Sequence, residues 1–248
     1  MTNLEWCIDY LKRYNDITSY FNGIDFNTFR GLMNITMPIN LSQEYYAKQD
    51  DVLQELLKEK EIVNVDTFKE GISLFKGDIT ILKADAIVNA CNEKLLGCFV
   101  PGHHCIDNAI HTFAGLQVRR DMMEIMERQG KDEESGKCKV SGAYNLPSKY
   151  IFHTVGPIYS GIMKDNIDLF NCYYSCLKKA DDMGLNSIVF CSLSTGIYGF
   201  PIEKACDIAV GTVSKYLKEE NKNIKRVVFD VFSEGDKDVY TRRINKIN

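Results

Sequence analysis

From about residue 62 the chain alternates short, uninterrupted apolar runs with longer amphipathic ones. Ile72–Phe75, Ala86–Cys91, Ile151–Val155, Ile188–Ser192 and Val227–Phe232 are too short for buried helices, and several lack the polar alternation of a half-exposed strand. Continuous β-branched runs of this kind are strands covered on both faces. Between them, residues 106–129, 166–183 and 202–220 repeat apolar side chains at helical spacing. Parallel strands need crossovers, and amphipathic crossovers bury their apolar stripe on the sheet. The alternation therefore predicts an α/β fold, a three-layer α/β/α domain around a mixed or largely parallel central sheet.

The first 61 residues have a different texture. Leu4, Cys7, Ile8 and Leu11 recur at helical spacing, Leu41-Ser42-Gln43-Glu44 reads as a capped helix start before Tyr45 and Tyr46, and Asp51–Lys58 is a further amphipathic run. Phe21–Asn34 shows no clear period. Residues 1–61 are read as a small helical N-terminal extension and 62–248 as the main domain. No Pro- or Ser-rich linker separates them, so the extension is expected to dock, with stability as its ordinary role.

Thirty basic and thirty-four acidic side chains give a net charge of −4, too little field to draw the chain onto nucleic acid or an anionic membrane. An anionic ligand must then be held by local geometry. No run approaches ~18 apolar residues, and Met1–Asn15 lacks the basic and apolar regions of a leader. A cytoplasmic protein is expected, and the lack of a heptad pattern suggests a monomer. The nine cysteines lie mostly in apolar stretches such as IVNAC and IVFC, so most should be reduced and buried, and a close cluster would be a metal candidate.

Three stretches could carry chemistry. Gly77-Asp78-Ile79-Thr80 follows a predicted strand, and Asp85–Asn92 ends another in asparagine. The Asp78 carboxylate can accept from a purine amino group while the next amide donates to the ring. Asparagines at a strand's carboxyl end face the edge where open α/β sheets bind ligands, although Gly-Asp turns are common without a ligand. Ser194-Thr195-Gly196-Ile197-Tyr198-Gly199-Phe200-Pro201 joins a strand to a helix. Its glycines admit a close ligand, its amides can cradle a phosphate, and Pro201 suits a first helical turn. The spacing is neither GxGxxG nor a P-loop.

The third stretch, Cys98–Cys105, spells Cys-x4-His-x-Cys around Pro101-Gly102. Two thiolates and an imidazole suit zinc, and three ligands leave a fourth position open, as in catalytic sites. His104 could supply a fourth ligand or stand in for His103; two buried thiols with two solvent-facing histidines is the plainer alternative. Asp107 lies in the next helix's first turn, where the dipole favours a carboxylate, two residues from Cys105 and near enough to orient a water or a ribose hydroxyl. His111 reads as a surface or packing residue, and His153 as a core group with a hydrogen-bond partner.

The ordered set GDIT, DAIVNACN, a helix opening at Ile106-Asp107, KYIFHTVGP and STGIYGFP resembles the macrodomain family over about residues 62–240. That resemblance implies ADP-ribose at the sheet edge. Asp78 and Ile79 would receive the adenine, Asn92 the distal ribose, and Ser194, Thr195, Gly196, Ile197, Tyr198 and Phe200 the diphosphate and distal ribose, with Cys105, Ile106 and Asp107 completing the pocket. Hydrolytic members commonly have a Gly-Gly-rich loop where this chain has Cys98–Cys105. The substitution and the helical extension are similar to a zinc-containing branch of microbial macrodomains associated with sirtuin-type ADP-ribosyltransferases, in which Cys98, His103 and Cys105 would hold the metal. The resemblance implies a zinc-dependent protein-ADP-ribose hydrolase acting on mono-ADP-ribosylated protein, with Asn92 and Asp107 catalytic. A non-catalytic ADP-ribose reader or an O-acetyl-ADP-ribose deacetylase would use the same pocket.

Overall fold

The computed structural model describes residues 1–17 and 19–247. Three helices come first. α1 (Asn3–Tyr14) is started by a reciprocal Thr2/Glu5 capping box, α2 (Phe26–Ile35) by the Asp25 side chain and α3 (Gln43–Lys58) by Ser42. Thus Phe21–Asn34, without a visible period, contains most of a helix. Packed against α1 and a later helix, α2 buries Phe29, Gly31, Leu32, Met33 and Asn34; a glycine and an asparagine on the buried face interrupt the apolar spacing.

The strands then follow: β1 (Val63–Asn64), β2 (Gly71–Lys76), β3 (Leu82–Lys83) and β4 (Ala86–Cys91). Next come α4 (Ile106–Ala114) and α5 (Leu116–Gln129). The helix read over 106–129 is broken at Gly115, whose φ of +98° only glycine adopts readily; a Cβ there would lie 2.5 Å from Gln117 and 2.6 Å from Gln49. β5 (Cys138–Gly142), β6 (Tyr150–Val155), α6 (Met163–Asp182), β7 (Ser187–Cys191), α7 (Ile202–Glu219), β8 (Arg226–Val231) and α8 (Glu234–Ile244) complete the chain. β5 carried no apolar signal because it is a half-covered edge strand. α8 escaped notice because it buries only Val239, Tyr240 and Ile244.

The main sheet runs β2, β8, β7, β4, β6, β5; all neighbours are parallel except the antiparallel β5–β6 pair at the edge. Its two faces are covered differently. Phe190 of β7 and Phe229 of β8, partners in the register, pack on Tyr173 of α6, and Phe229 also meets Tyr240 of α8. Asn89 of β4 faces the other way, onto α4. Full burial contributes roughly 1.5–3 kcal/mol for each such Phe, Ile or Val, so the central strands anchor the fold.

The N-terminal helices have a second core of Cys7, Ile8, Leu11, Phe29, Leu32, Met33, Tyr45 and Leu53 that closes on Leu116 of α5. Polar contacts complete the junction. The Gln49 side chain accepts from the Leu116 amide (3.0 Å) and donates to Gln117 (2.7 Å), and Asp50 accepts from Gln117 and Asn145, each at 2.7 Å. All nine cysteines are free, six of them buried. Among the described residues no helix is long and apolar enough to cross a membrane.

Candidate functional site

The strand order itself locates a ligand site. β4 and β7 are neighbours, but the chain leaves β4 toward β5 and β6 and leaves β7 toward β8, on the opposite side. Crossovers that diverge open a crevice at the carboxyl ends of the two strands, where open α/β sheets bind ligands. The loop after β4 carries Asn92 and Cys98–Cys105, and the loop after β7 carries Ser194–Phe200. β2 is parallel to both, so Asp78 and Ile79 lie at the same edge.

In the loop after β4, one ligand atom each of Cys98, His103 and Cys105 lies within 4.8 Å of the others, and the Cys98 Sγ to His103 Nδ1 distance is 3.6 Å. A tetrahedral zinc with bonds of about 2.3 Å to sulfur and 2.0–2.1 Å to nitrogen sets those two atoms about 3.6 Å apart. The donor set therefore fits a zinc ion. Among the described residues His104 is exposed and outside this cluster, so the structure does not place it as a fourth ligand. Burial pushes the Cys105 thiol up to about 12, the Asn108 amide opposing this and neighbouring Cys98 adding to it.

Cys105 is also the N-cap of α4, its Sγ accepting from the Asn108 amide at 3.4 Å. The first-turn amides of Ile106 and Asp107 thus open toward the same edge. The Asp107 carboxylate is buried and held by Asn89 Nδ2 at 2.7 Å; burial raises it to about 6 while Asn89 and Arg119 oppose. His111 is buried, which excludes a place on the helix surface. Its Nε2 lies 3.5 Å from Asp107, but burial, His153 and Arg119 hold it well below its usual range, so this neutral contact is not an ion pair. His153 is a core group as expected, contacting Ser141 Oγ at 2.9 Å and Asn89 Nδ2 at 3.3 Å, and burial lowers it to about 3.

Asn92 is less free than its position suggests. Its Oδ1 accepts from the Lys94 amide at 3.0 Å and its Nδ2 donates to the Gly97 carbonyl at 3.3 Å, so much of its amide shapes the turn toward Cys98. Asn89 had no assigned role in the sequence. Only the pleat, which aims it at α4, brings it to Asp107.

At the far end, Asp78 caps a 3-10 turn: Oδ1 accepts from the Thr80 amide (2.9 Å) and hydroxyl (2.6 Å), and Oδ2 from Lys60 Nζ (3.0 Å). Burial pushes this carboxyl up, yet the hydroxyl, lysine and amide outweigh it and leave it below the usual range. The Lys60–Asp78 pair is only partly exposed, with Lys60 also lying over the Phe113 ring, and a ligand amino group would compete with it for the carboxylate. Among the described residues the Ile79 amide has no protein acceptor. Phe232 directly follows β8, which pairs Val231 with Lys76. It is 88% exposed, a bare aromatic plane beside Gly77-Asp78 that a strand-ending phenylalanine in the sequence does not reveal.

The loop after β7 is folded on itself. The Phe200 amide donates to the Ser194 carbonyl and the Gly199 amide to the Gly196 carbonyl, each at 2.9 Å. The amides of Gly196, Ile197 and Tyr198 have no protein acceptor among the described residues. Ser194 sits at φ +64°, a strained conformation for a non-glycine residue and one concentrated at functional sites. Phe200 is a buried anchor against Tyr159, with ring centroids 4.7 Å apart. Pro201 caps α7 just outside its first turn. Among the described residues Ser194 Oγ in this loop is buried without a protein partner, as are Asn89 Oδ1 and Asp230 Oδ1 on strands that lead to the same edge. Leaving such a group unpaired costs about 1–3 kcal/mol, so each is a place where a ligand or water can complete the structure.

A family model described as Macro domain matches residues 88–209. The chain is similar to a protein-ADP-ribose hydrolase of Staphylococcus aureus strain MRSA252, 45% identical over 98% of this chain and 95% of that one. A protein of the same name from Treponema medium is 45% identical over 86% of this chain and 85% of its own length. Among solved structures, the Trypanosoma brucei macrodomain in complex with ADP-ribose superposes with a TM-score of 0.67 at 29% identity, covering 86% of this chain and 94% of that one.

Proposed function

We infer the activity from one premise: this chain belongs to the macrodomain family. It is a hydrolase that removes mono-ADP-ribose from modified protein side chains, binding the nucleotide along the carboxyl edge of the sheet. The observation that carries this reading is that all three loops lie at one carboxyl edge of the sheet, two of them across the β4/β7 crevice, with a donor set for zinc in one and the Asp78 carboxylate in another.

Each residue's task follows from its chemistry. Asp78 accepts from the adenine amino group, the Ile79 amide donates to the ring, and Phe232 offers a face for stacking. The amides of Gly196, Ile197 and Tyr198, with those of Ile106 and Asp107, meet the diphosphate, so an acidic protein holds an anion without a cluster of Lys or Arg. Asn92 holds the distal ribose. Cys98, His103 and Cys105 would hold zinc, which when bound supplies Lewis-acid polarisation beside the distal ribose. Asp107, aimed by Asn89, orients the water that attacks C1″ and takes its proton; the C1″ bond to the protein side chain breaks, the side chain leaves with the electron pair, and the proton passes from Asp107 to the side chain or to solvent. The protein is read as a cytoplasmic monomer.

The test is the release of free ADP-ribose from a mono-ADP-ribosylated carrier protein, before and after zinc chelation. Release that stops with chelator and returns with zinc is the expected outcome. Tight ADP-ribose binding without release would make the protein a reader, and chelator-insensitive release would leave a hydrolase in which zinc only shapes the loop.

A further inference from the structure

The loop from Leu96 to Cys105 makes little structure of its own: its one internal backbone bond among the described residues runs from the His103 amide to the Val100 carbonyl. It is instead held from outside, and two of the holding side chains come from α2. Arg30 donates through Nη2 to the His103 carbonyl at 2.9 Å and through Nη2 and Nε to Asn108 Oδ1 at 2.8 and 3.1 Å. Asn108 in turn donates to the Val100 carbonyl at 3.1 Å. Asn34 accepts the Gly102 amide at 2.9 Å and donates to Thr112 at 3.1 Å. Arg119, almost wholly buried, joins the same two elements: it donates to the Leu96 carbonyl, stacks on Phe99, and donates to the carbonyls of Met33, Asn34 and Thr36 at the end of α2.

We propose that Arg30 and Asn34 are positioning residues for the metal site, so that the N-terminal helices hold the Cys98–His103–Cys105 donors in place before an ion arrives. The proposal rests on the zinc reading above. Its reason is geometric. Both contacts fall on the peptide units at Gly102 and His103, so they set where the imidazole hangs relative to two cysteines that are otherwise separated by a free-running turn. A ligand set held this way loses less freedom on binding, and partners that orient metal ligands typically account for about 10–100-fold in affinity.

The experiment uses the full chain with Arg30→Ala, Arg30→Lys and Asn34→Ala. Zinc affinity is measured by competition with a chromophoric chelator, ADP-ribose affinity by calorimetry, and kcat and KM on the mono-ADP-ribosylated carrier. Arg30→Ala should bind zinc about 10–100-fold more weakly, with ADP-ribose affinity and KM within about twofold, and saturating zinc should recover kcat. Arg30→Lys should fail to restore the affinity, because one ammonium cannot reproduce a planar fork to both acceptors. Arg30→Ala is the decisive variant because Arg30 is only partly buried, whereas Asn34 is in the core. Unchanged zinc affinity in Arg30→Ala and Asn34→Ala overturns the proposal while leaving the zinc hydrolase intact. A parallel loss of ADP-ribose and zinc binding overturns it in favour of a general structural role. Absence of zinc binding by the wild-type protein removes the zinc reading itself, and the proposal with it.

Discussion

The loops after β4 and β7 face each other across one crevice and are built in opposite ways. Ser194–Phe200 is held by its own backbone bonds, by a strained serine and by one buried aromatic anchor. Cys98–Cys105 is held by side chains from α2, α4 and α5, those of α2 about seventy residues away in sequence. A self-contained loop presents amides to whatever anion arrives. A loop fixed by distant side chains can hold a metal donor set to within tenths of an ångström, but its geometry depends on the packing of the N-terminal helices.

The largest effect expected at the crevice separates chemistry from binding. Asp107→Ala should lower kcat about 10²–10⁴-fold in the release assay, with ADP-ribose affinity by calorimetry within about tenfold. An equal loss of both would place Asp107 in binding. Phe200→Ala tests the independence of the two loops: truncating this anchor should cost about 3–5 kcal/mol in denaturant unfolding and weaken ADP-ribose binding, yet leave zinc affinity unchanged. Reduced zinc affinity there would mean that the loops are coupled. Chelation addresses only the β4 loop. With free zinc at 100 times its Kd, stripping it should remove about 2.7 kcal/mol of stability in wild type and nothing in Cys98→Ser, read as a Tm difference.

A pH-dependent effect concerns Asp230, which pairs with Cys191 of β7 and lies near Asp78. Burial, with the Asp78 charge adding, raises its carboxyl to about 8, so the folded protein keeps a proton that the unfolded chain releases near pH 4. Stability from this group is therefore full below about pH 4 and is lost as pH rises toward 8. Asp230→Asn should flatten that slope, with a higher Tm than wild type at pH 8 and little difference at pH 4; an unchanged slope would show that Asp230 is already ionised.

Much of the main domain was legible because its elements carry strong local signals. Ala86–Cys91 and Ile188–Cys191 are short, mostly apolar runs rich in β-branched residues, too short for buried helices and suited to strands covered on both faces. The Ser42 cap and the amphipathic α1 were legible for the same reason. Elements with an interrupted or weak apolar pattern were not: α2, whose buried face includes Gly31 and Asn34, and β5, half-covered at the edge. The break at Gly115 was hidden because apolar spacing continues through a glycine whose φ the pattern does not record. At the site, Cys-x4-His-x-Cys announced a metal candidate because three ligands in eight residues are close in any compact turn. Arg30, Asn34 and Lys60 announced nothing, since a single polar residue on a helix or loop carries no sign of its partner.

The chain's own order of residues settled which chemistry was on offer: a carboxylate after a glycine, a glycine-rich strand-to-helix turn, two thiols and an imidazole close together, all readable because each is local. The fold decided which of these meet. Divergent crossovers from β4 and β7 opened the crevice, the pleat turned Asn89 toward Asp107, and packing of α2 against the loop set the peptide units at Gly102 and His103. Such contacts join residues 18 to 73 positions apart, and loop closure over those spans is driven by burial of the whole core rather than by any property of the residues that touch.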